Sequence, residues 1–135
     1  MRYLGLDYGS RTLGVSVSDE LGIIASNIKT IRYESEEKLF EELSLIINEY
    51  DIKEFVLGLP LNLNGTESVR SALTREFGNR LEKKFNIKVN YQDERFTTTE
   101  AERLLIQNNT SRLKRKKVID SIAAVLILQT FLDRK

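Results

Sequence analysis

The chain has 135 residues, of which 41% are hydrophobic and 30% charged, and this composition is typical of a single globular domain covering residues 1–135. The absence of cysteine and histidine excludes disulfides, thiolate metal sites and histidine-based nucleophilic catalysis, so hydrolysis would depend on carboxylates, Lys, Tyr or metal-activated water. The net charge of +1 conceals an acidic stretch at 34–54 and a basic stretch at 111–135, and the basic one suggests a polyanionic partner.

The first third of the chain predicts three consecutive antiparallel strands. Residues 2–7 form an apolar run, residues 12–18 alternate apolar with small polar side chains, and residues 23–31 continue in an extended pattern. Short turn sequences at 8–11 and 19–22 connect them.

The next part predicts helices alternating with two further strands. Ser35 is a candidate N-cap for a helix whose apolar face runs to Tyr50, and an apolar strand follows at 54–60. Thr66 is a candidate cap for a second helix, in which Gly78 suggests a close contact. The predicted apolar stripe of this helix consists of Val69, Leu73, Phe77, Leu81 and Phe85. Residues 87–93 then alternate as a fifth strand.

The last part predicts two helices separated by a basic segment. A capping-box pattern at Thr97 begins a helix through residue 106, residues 110–117 are polar and basic, and a mostly apolar helix covers about 118–132. The order βββαβαβαα predicts an α/β domain with a mixed five-stranded sheet, in which three antiparallel strands are followed by two that return parallel to the first.

Three carboxylates stand at boundaries of these elements and are candidate catalytic and metal-binding residues: Asp7, Glu94 and Asp120. Parallel strands place the residues at their carboxyl ends along one edge of the sheet, and Asp120 begins a helix that can cross that edge. Oxygen ligands favour Mg²⁺ or Mn²⁺, which support hydrolysis of phosphodiesters. Each residue also has an ordinary structural interpretation: a turn for Asp7, a surface ion pair for Glu94, and helix-start electrostatics for Asp120.

Basic residues near these carboxylates are candidates for binding nucleic-acid phosphate. They are Arg11, Arg95, Lys114, Arg115, Lys116 and Lys117. A guanidinium can bind a phosphate through two hydrogen bonds, and the lysine-rich run immediately precedes Asp120. A solvated basic surface, or arginines that only screen the acidic residues, would explain the same pattern.

Several motifs in this order resemble one protein family. They are Leu4-Gly5-Leu6-Asp7-Tyr8-Gly9 with Arg11 and Gly14, Gly58-Leu59-Pro60 with Asn64-Gly65, Asp93 through Thr98, and Asp120 with Ala123-Ala124. The set is similar to the YqgF family and covers nearly the whole chain. The resemblance implies a ribonuclease H-like fold related to RuvC-type Holliday junction resolvases.

The resemblance implies a small bacterial nuclease that matures pre-16S rRNA in ribosome biogenesis, with Asp7, Glu94 and Asp120 as its metal-binding residues. RuvC-type enzymes carry a fourth acidic ligand where this chain has Ala123. That departure implies a weaker second metal site or a ligand supplied by the substrate phosphate. The implied partner is nucleic acid, RNA rather than branched DNA, with ribosomal precursor particles as a further partner.

Other functions fit parts of the pattern. A Holliday junction resolvase in DNA repair is the nearest alternative, although it requires a symmetric dimer, and this chain is expected to be a monomer or weak dimer. A non-catalytic RNA-binding assembly factor is another. An ATPase related to sugar kinases or actin would share the Asp-x-Gly turn but needs two such domains.

We expect a cytoplasmic location without membrane association. No apolar run in the sequence approaches the roughly 20 residues that cross a bilayer, and the start lacks a basic segment followed by an apolar one.

Overall fold

The computed structural model describes residues 1–95 and 112–135, with side chains described in 1–95 and 122–135. Within these residues five strands form one sheet: β1 (Arg2–Tyr8), β2 (Thr12–Ser18), β3 (Ala25–Arg32), β4 (Ile52–Leu59) and β5 (Lys88–Asp93). Three helices accompany them: α1 (Glu36–Tyr50), α2 (Val69–Phe85) and α3 (Arg112–Arg134). The predicted helix at 97–106 lies outside the described residues.

The strands lie in the order β3-β2-β1-β4-β5. β1 to β3 pair antiparallel because short turns connect them, whereas β4 lies parallel to β1 and β5 parallel to β4, because a helix precedes each. The predicted mixed sheet is confirmed. Its central strand β1 ends at the same edge as β4 and β5, which is the carboxyl edge of the parallel strands.

Helices cover both faces of the sheet. One face packs against α1 and α2 in a core that includes Leu6, Leu43, Phe55 and Phe77. The other face packs against α3, where Val56 contacts a cluster made by Ile127, Leu128 and Leu132. Side chains alternate along a strand, so each residue of β1 belongs to one of these two faces.

α1 begins where the sequence predicts. The Ser35 side chain accepts a hydrogen bond from the Lys38 N–H, and Glu36 and Glu37 occupy the first turn, where the helix dipole favours negative charge. Asp51 ends the helix in the left-handed conformation, with φ of 54°.

α2 begins at Ser68 and not at the predicted cap, Thr66. The Ser68 hydroxyl accepts from the Ser71 N–H at 3.0 Å, and the Ser71 hydroxyl accepts from the Ser68 N–H at 2.7 Å, which completes a capping box. Thr66 instead donates its N–H and its hydroxyl to the Asn64 side chain, which holds it in the preceding loop.

The sheet-facing side of α2 includes Phe77 and Leu81 of the predicted apolar stripe but differs from it in the first turns of the helix. Val69 and Leu73 are exposed, while the small residues Ser71 and Gly78 are buried. The close contact predicted at Gly78 is confirmed, because a β-carbon there would overlap the Tyr91 hydroxyl. Small side chains bring α2 close to the sheet.

α3 begins at Arg112, earlier than the predicted start near residue 118. The expectation of a separate basic segment over 110–117 is therefore wrong from Arg112 onward, because Lys and Arg are good helix formers and neither Gly nor Pro interrupts the run. Among the described residues, no helix has the length and apolar character needed to cross a membrane.

Candidate active site

Asp7 lies near the end of β1, on the face of the sheet that α3 covers. Gly5 shares that face, because a β-carbon on Gly5 would overlap the Leu128 Cβ at 2.6 Å. Asp7 pairs with Gly14 on β2, and a β-carbon on Gly14 would lie 3.4 Å from the Asp7 Cβ and 3.9 Å from its Oδ2. Glycine at position 14 therefore leaves space beside the carboxylate.

Glu94 directly follows β5 and lies on the same face. Its N–H donates to the Leu59 carbonyl at 3.2 Å, which extends the pairing of β5 with β4. A β-carbon on Gly58 would overlap both the Glu94 Oε2 and the Ile127 side chain of α3. Leu57 of β4 pairs with Leu6 of β1, so the next residue, Gly58, lies beside Asp7. The Glu94 carboxylate lies over Gly58 and is therefore close to Asp7.

The two carboxylates interact unfavourably. Burial, and after it the nearby charge of Asp7, raise the pKa of Glu94 from 4.5 to about 7, while Arg70 opposes the shift. A buried acid beside a second acid is poised to release its proton when a cation arrives. The structure thus brings together two of the three predicted site residues.

Asp120 lies within α3, one helical turn before Ala124, and its side chain is outside the described part of the structure. A β-carbon on Gly14 would lie 3.5 Å from the Ala124 Cβ and 3.4 Å from the Asp7 Cβ, so Ala124 and Asp7 lie on either side of this position. α3 runs antiparallel to β1, because Phe131 contacts Tyr3 while Leu128 faces Gly5. Its earlier turns therefore approach the edge where β1 ends.

Among the side chains that the structure describes, no group of three or more acidic residues is placed to hold a metal ion. Asp7 and Glu94 supply two carboxylates, and Asp120 as a third remains a prediction. The predicted phosphate-binding residues from Lys114 to Lys117 lie on the first two turns of α3, with side chains outside the described part.

The two predicted arginines occupy different surroundings. The Arg95 guanidinium donates to Asp93 at 2.7 Å and to the Leu63 carbonyl at 3.1 Å, and so ties β5 to the loop before α2. Arg11 is exposed in the turn between β1 and β2, and its carbonyl accepts from the Tyr33 N–H. Their part in binding nucleic acid stays a prediction.

Arg70 is a charged residue at the same edge that was not among the predicted site residues. It lies in the first turn of α2 and donates a hydrogen bond of 2.9 Å to the carbonyl of Tyr8, the residue after Asp7. Its guanidinium also lies 5.6 Å from the centre of the Tyr8 ring. A cation in the first turn opposes the helix dipole, and that sequence signal could have drawn attention to Arg70.

The sheet order, the helices on both faces and the acidic carboxyl edge define a ribonuclease H-like domain. A solved structure described as "T. thermophilus RuvC in complex with Holliday junction substrate" has a similar fold, with a TM-score of 0.58 and 13% identity, covering 99% of this chain and 95% of that chain. The family model described as "RuvX: Holliday junction resolvase" matches residues 1–134. The chain belongs to the RuvX family, which is the YqgF family of the sequence prediction.

Relatives across several bacteria are similar over nearly their whole length. One from Lactococcus lactis subsp. cremoris is 50% identical over 134 residues, which are 98% of this chain and 94% of that protein. One from Streptococcus thermophilus is 48% identical over 137 residues, covering 99% of both chains. Both are described as "Putative pre-16S rRNA nuclease". The chain is thus a member of a family of nucleases.

Proposed function

We propose that this protein is a metal-dependent nuclease that hydrolyses phosphodiester bonds in structured RNA, with a pre-16S rRNA precursor as its substrate. The observation that carries the proposal is the juxtaposition of Asp7 and Glu94 at the carboxyl edge of the sheet. The RNA substrate is inferred from the descriptions of relatives that are about half identical to this chain.

Asp7 and Glu94 fit a divalent cation chemically. Both offer oxygen ligands, and Glu94 is partly buried next to a like charge, an arrangement that a cation would relieve. Asp120, one turn before Ala124 on α3, is the proposed third ligand. When bound, Mg²⁺ or Mn²⁺ would lower the pKa of water and offset the negative charge that develops on the phosphate.

The residues of the chain would divide the remaining tasks. Asp7 and Glu94 would hold the cation at the rigid edge of the sheet, where Gly14 leaves space beside Asp7 and Gly58 leaves room for the Glu94 carboxylate. The basic residues on the first turns of α3 would hold the RNA backbone beside them.

The test is cleavage of an RNA that contains a precursor 16S end by the purified protein with Mn²⁺. Asp7→Asn should lower the cleavage rate by roughly 100-fold or more, since an amide is a poor ligand for a hard cation. Circular dichroism and RNA affinity should stay close to those of the parent. Asp51→Asn is the matched control, because Asp51 is 80% exposed and asparagine tolerates its left-handed conformation. Full cleavage by Asp7→Asn would refute the proposal.

The family description supports a second candidate, resolution of a four-way DNA junction. That function predicts paired symmetric cuts and a dimer in solution. Assaying a four-way junction and the RNA in parallel, with the oligomeric state measured by light scattering, decides between the two. RNA binding without cleavage of either substrate would instead identify a non-catalytic assembly factor.

A further inference from the structure

Arg70 lies at the acidic edge in a position that the stability of its own helix does not explain. The first turn of α2 contains no acidic residue, whereas α1 has Glu36 and Glu37 in the equivalent turn. A guanidinium at that end of a helix is repelled by the dipole rather than favoured by it. The position therefore calls for an explanation outside α2.

The contacts of Arg70 fix its guanidinium at the end of β1. One N–H donates to the Tyr8 carbonyl at 2.9 Å, and the group lies against the Tyr8 ring, which itself stacks on Phe77 at 4.0 Å between centroids. Tyr8 is thereby a rigid support. The guanidinium has five N–H donors in a planar fork, and the bond to Tyr8 uses one of them.

The same guanidinium lies at the carboxyl edge that holds the two carboxylates. It is bonded to the residue after Asp7, and the Glu94 carboxylate lies over Gly58 on the neighbouring strand. Arg70 therefore lies within electrostatic reach of the carboxylates, whereas Arg95 is bound to Asp93 and the Leu63 carbonyl. An arginine held in this way beside the carboxylates suits a bidentate contact with a phosphate.

We propose that Arg70 is a phosphate-binding residue that grips the nucleic-acid backbone next to Asp7 and Glu94, anchored in position by the Tyr8 carbonyl. This inference rests on the proposed function. In this proposal α2 positions the reacting strand together with the basic first turns of α3. The alternative is that Arg70 is only a tether for β1 or a counter-charge for Glu94.

The first experiment measures binding without cleavage. In a background of Asp7→Asn and Glu94→Gln with EDTA present, the acidic pair is neutral and a phosphate can approach without metal. Adding Arg70→Gln should lower the salt slope of RNA binding by about 0.7, the value for one lost contact with a single strand. Adding Arg75→Gln is the control, because Arg75 lies on the same helix and pairs with Glu67 at 2.7 Å. An unchanged slope for Arg70→Gln would overturn the proposal.

The second experiment uses the otherwise unaltered protein. Arg70→Gln should lower kcat/KM by roughly 100-fold, and Arg70→Lys should recover only part of that loss because an ammonium cannot form the fork. Calorimetry of Mn²⁺ binding should give an equal or tighter Kd, since a cation has been removed from the carboxylates. Weaker Mn²⁺ binding in proportion to the lost activity would mean that Arg70 acts through the carboxylates, and would overturn the proposal.

The two proposals can fail separately. If the parent protein binds RNA but cleaves nothing with Mn²⁺, the nuclease function fails and the salt slope still decides the role of Arg70. If the parent cleaves and Arg70→Gln changes neither the slope nor kcat/KM, only the role of Arg70 fails.

Discussion

Ionising Glu94 costs the folded protein free energy, because its carboxyl is largely buried and faces the charge of Asp7. Its pKa rises from 4.5 to about 7, so between these values the folded state keeps a proton that the unfolded chain releases. The stability associated with this group is fully present below pH 4.5 and is lost as the pH rises through 7. The metal-free protein is therefore weakened at its candidate active site near neutral pH.

Glu94→Gln should remove that penalty. In the metal-free protein, we expect the free energy of unfolding of the variant to exceed that of the parent by at most about 3 kcal/mol at pH 8. At pH 5 the difference should be below about 1 kcal/mol, and urea unfolding at both pH values measures it. Glu20→Gln, at a side chain that is 80% exposed, is the control and should alter stability little at either pH. A gain of the same size at both pH values would count against the buried, like-charged environment of Glu94.

At the scale of single residues, the sequence predicted a site residue where burying its side chain would cost free energy. Asp7 could be selected because a carboxylate at the end of an apolar strand needs a partner, and its proximity to Glu94 followed from right-handed crossovers. Arg70 was missed, because its place beside Tyr8 depends on α2 starting at Ser68. The polar loop before that cap offered Thr66 as an equally plausible start.

At the scale of elements, the decisive contact is the close approach of α3 to β1 and β2. The Ser16 hydroxyl donates to the Ala124 carbonyl at 2.7 Å, and Ser16 pairs with Gly5 across the strands. A β-carbon on Gly5 would overlap both the Ser16 hydroxyl and the Leu128 Cβ. The helix that carries Asp120 can lie at this depth only because position 5 lacks a side chain.

Gly5→Ala should therefore destabilise the protein by roughly 3 kcal/mol, since α3 has to move away from the sheet. Gly78→Ala is the matched comparison, because the nearest atoms in its way belong to the end of Tyr91, a partly exposed side chain that can shift, and the next is the Leu57 Cδ2 at 3.3 Å. There the gain in helix propensity of about 1 kcal/mol offsets much of the cost. Urea unfolding of both variants measures the difference, and equal losses would contradict the rigid contact at Gly5.

The elements themselves were largely predictable, and their boundaries less so. β2 and α1 were predicted closely because alternation, the Ser35 cap and the acidic first turn all agree. The start of α3 was missed because the basic run at 112–117 was interpreted as a separate polar segment, although Lys and Arg are good helix formers. The exposed positions of Val69 and Leu73 were missed because small residues, which carry little hydrophobic signal, face the sheet.

At the scale of the whole molecule, an acidic helix and a basic helical start lie on opposite faces of the sheet. The acidic stretch at 34–54 includes α1, which packs on one face, while the basic run from Lys114 to Lys117 begins α3, which packs on the other. Because α3 runs antiparallel to β1, the basic run approaches the carboxyl edge that holds Asp7 and Glu94. A polyanion would thus be attracted to the acidic site from the side of α3.

Replacing Lys114, Arg115, Lys116 and Lys117 with glutamine should weaken RNA binding and make it less sensitive to salt. With one phosphate contact per residue, the slope of log K against log salt should fall by up to about 3 units, measured by fluorescence anisotropy between 50 and 200 mM salt.

The matched control removes the same amount of charge from the opposite end of the parallel strands. In this variant glutamine replaces four exposed lysines: Lys53, Lys83, Lys84 and Lys88. Because both variants lower the formal net charge of +1 by the same four units, equal losses of slope would show that total charge governs binding. A loss confined to the α3 variant would locate the RNA backbone beside the acidic edge.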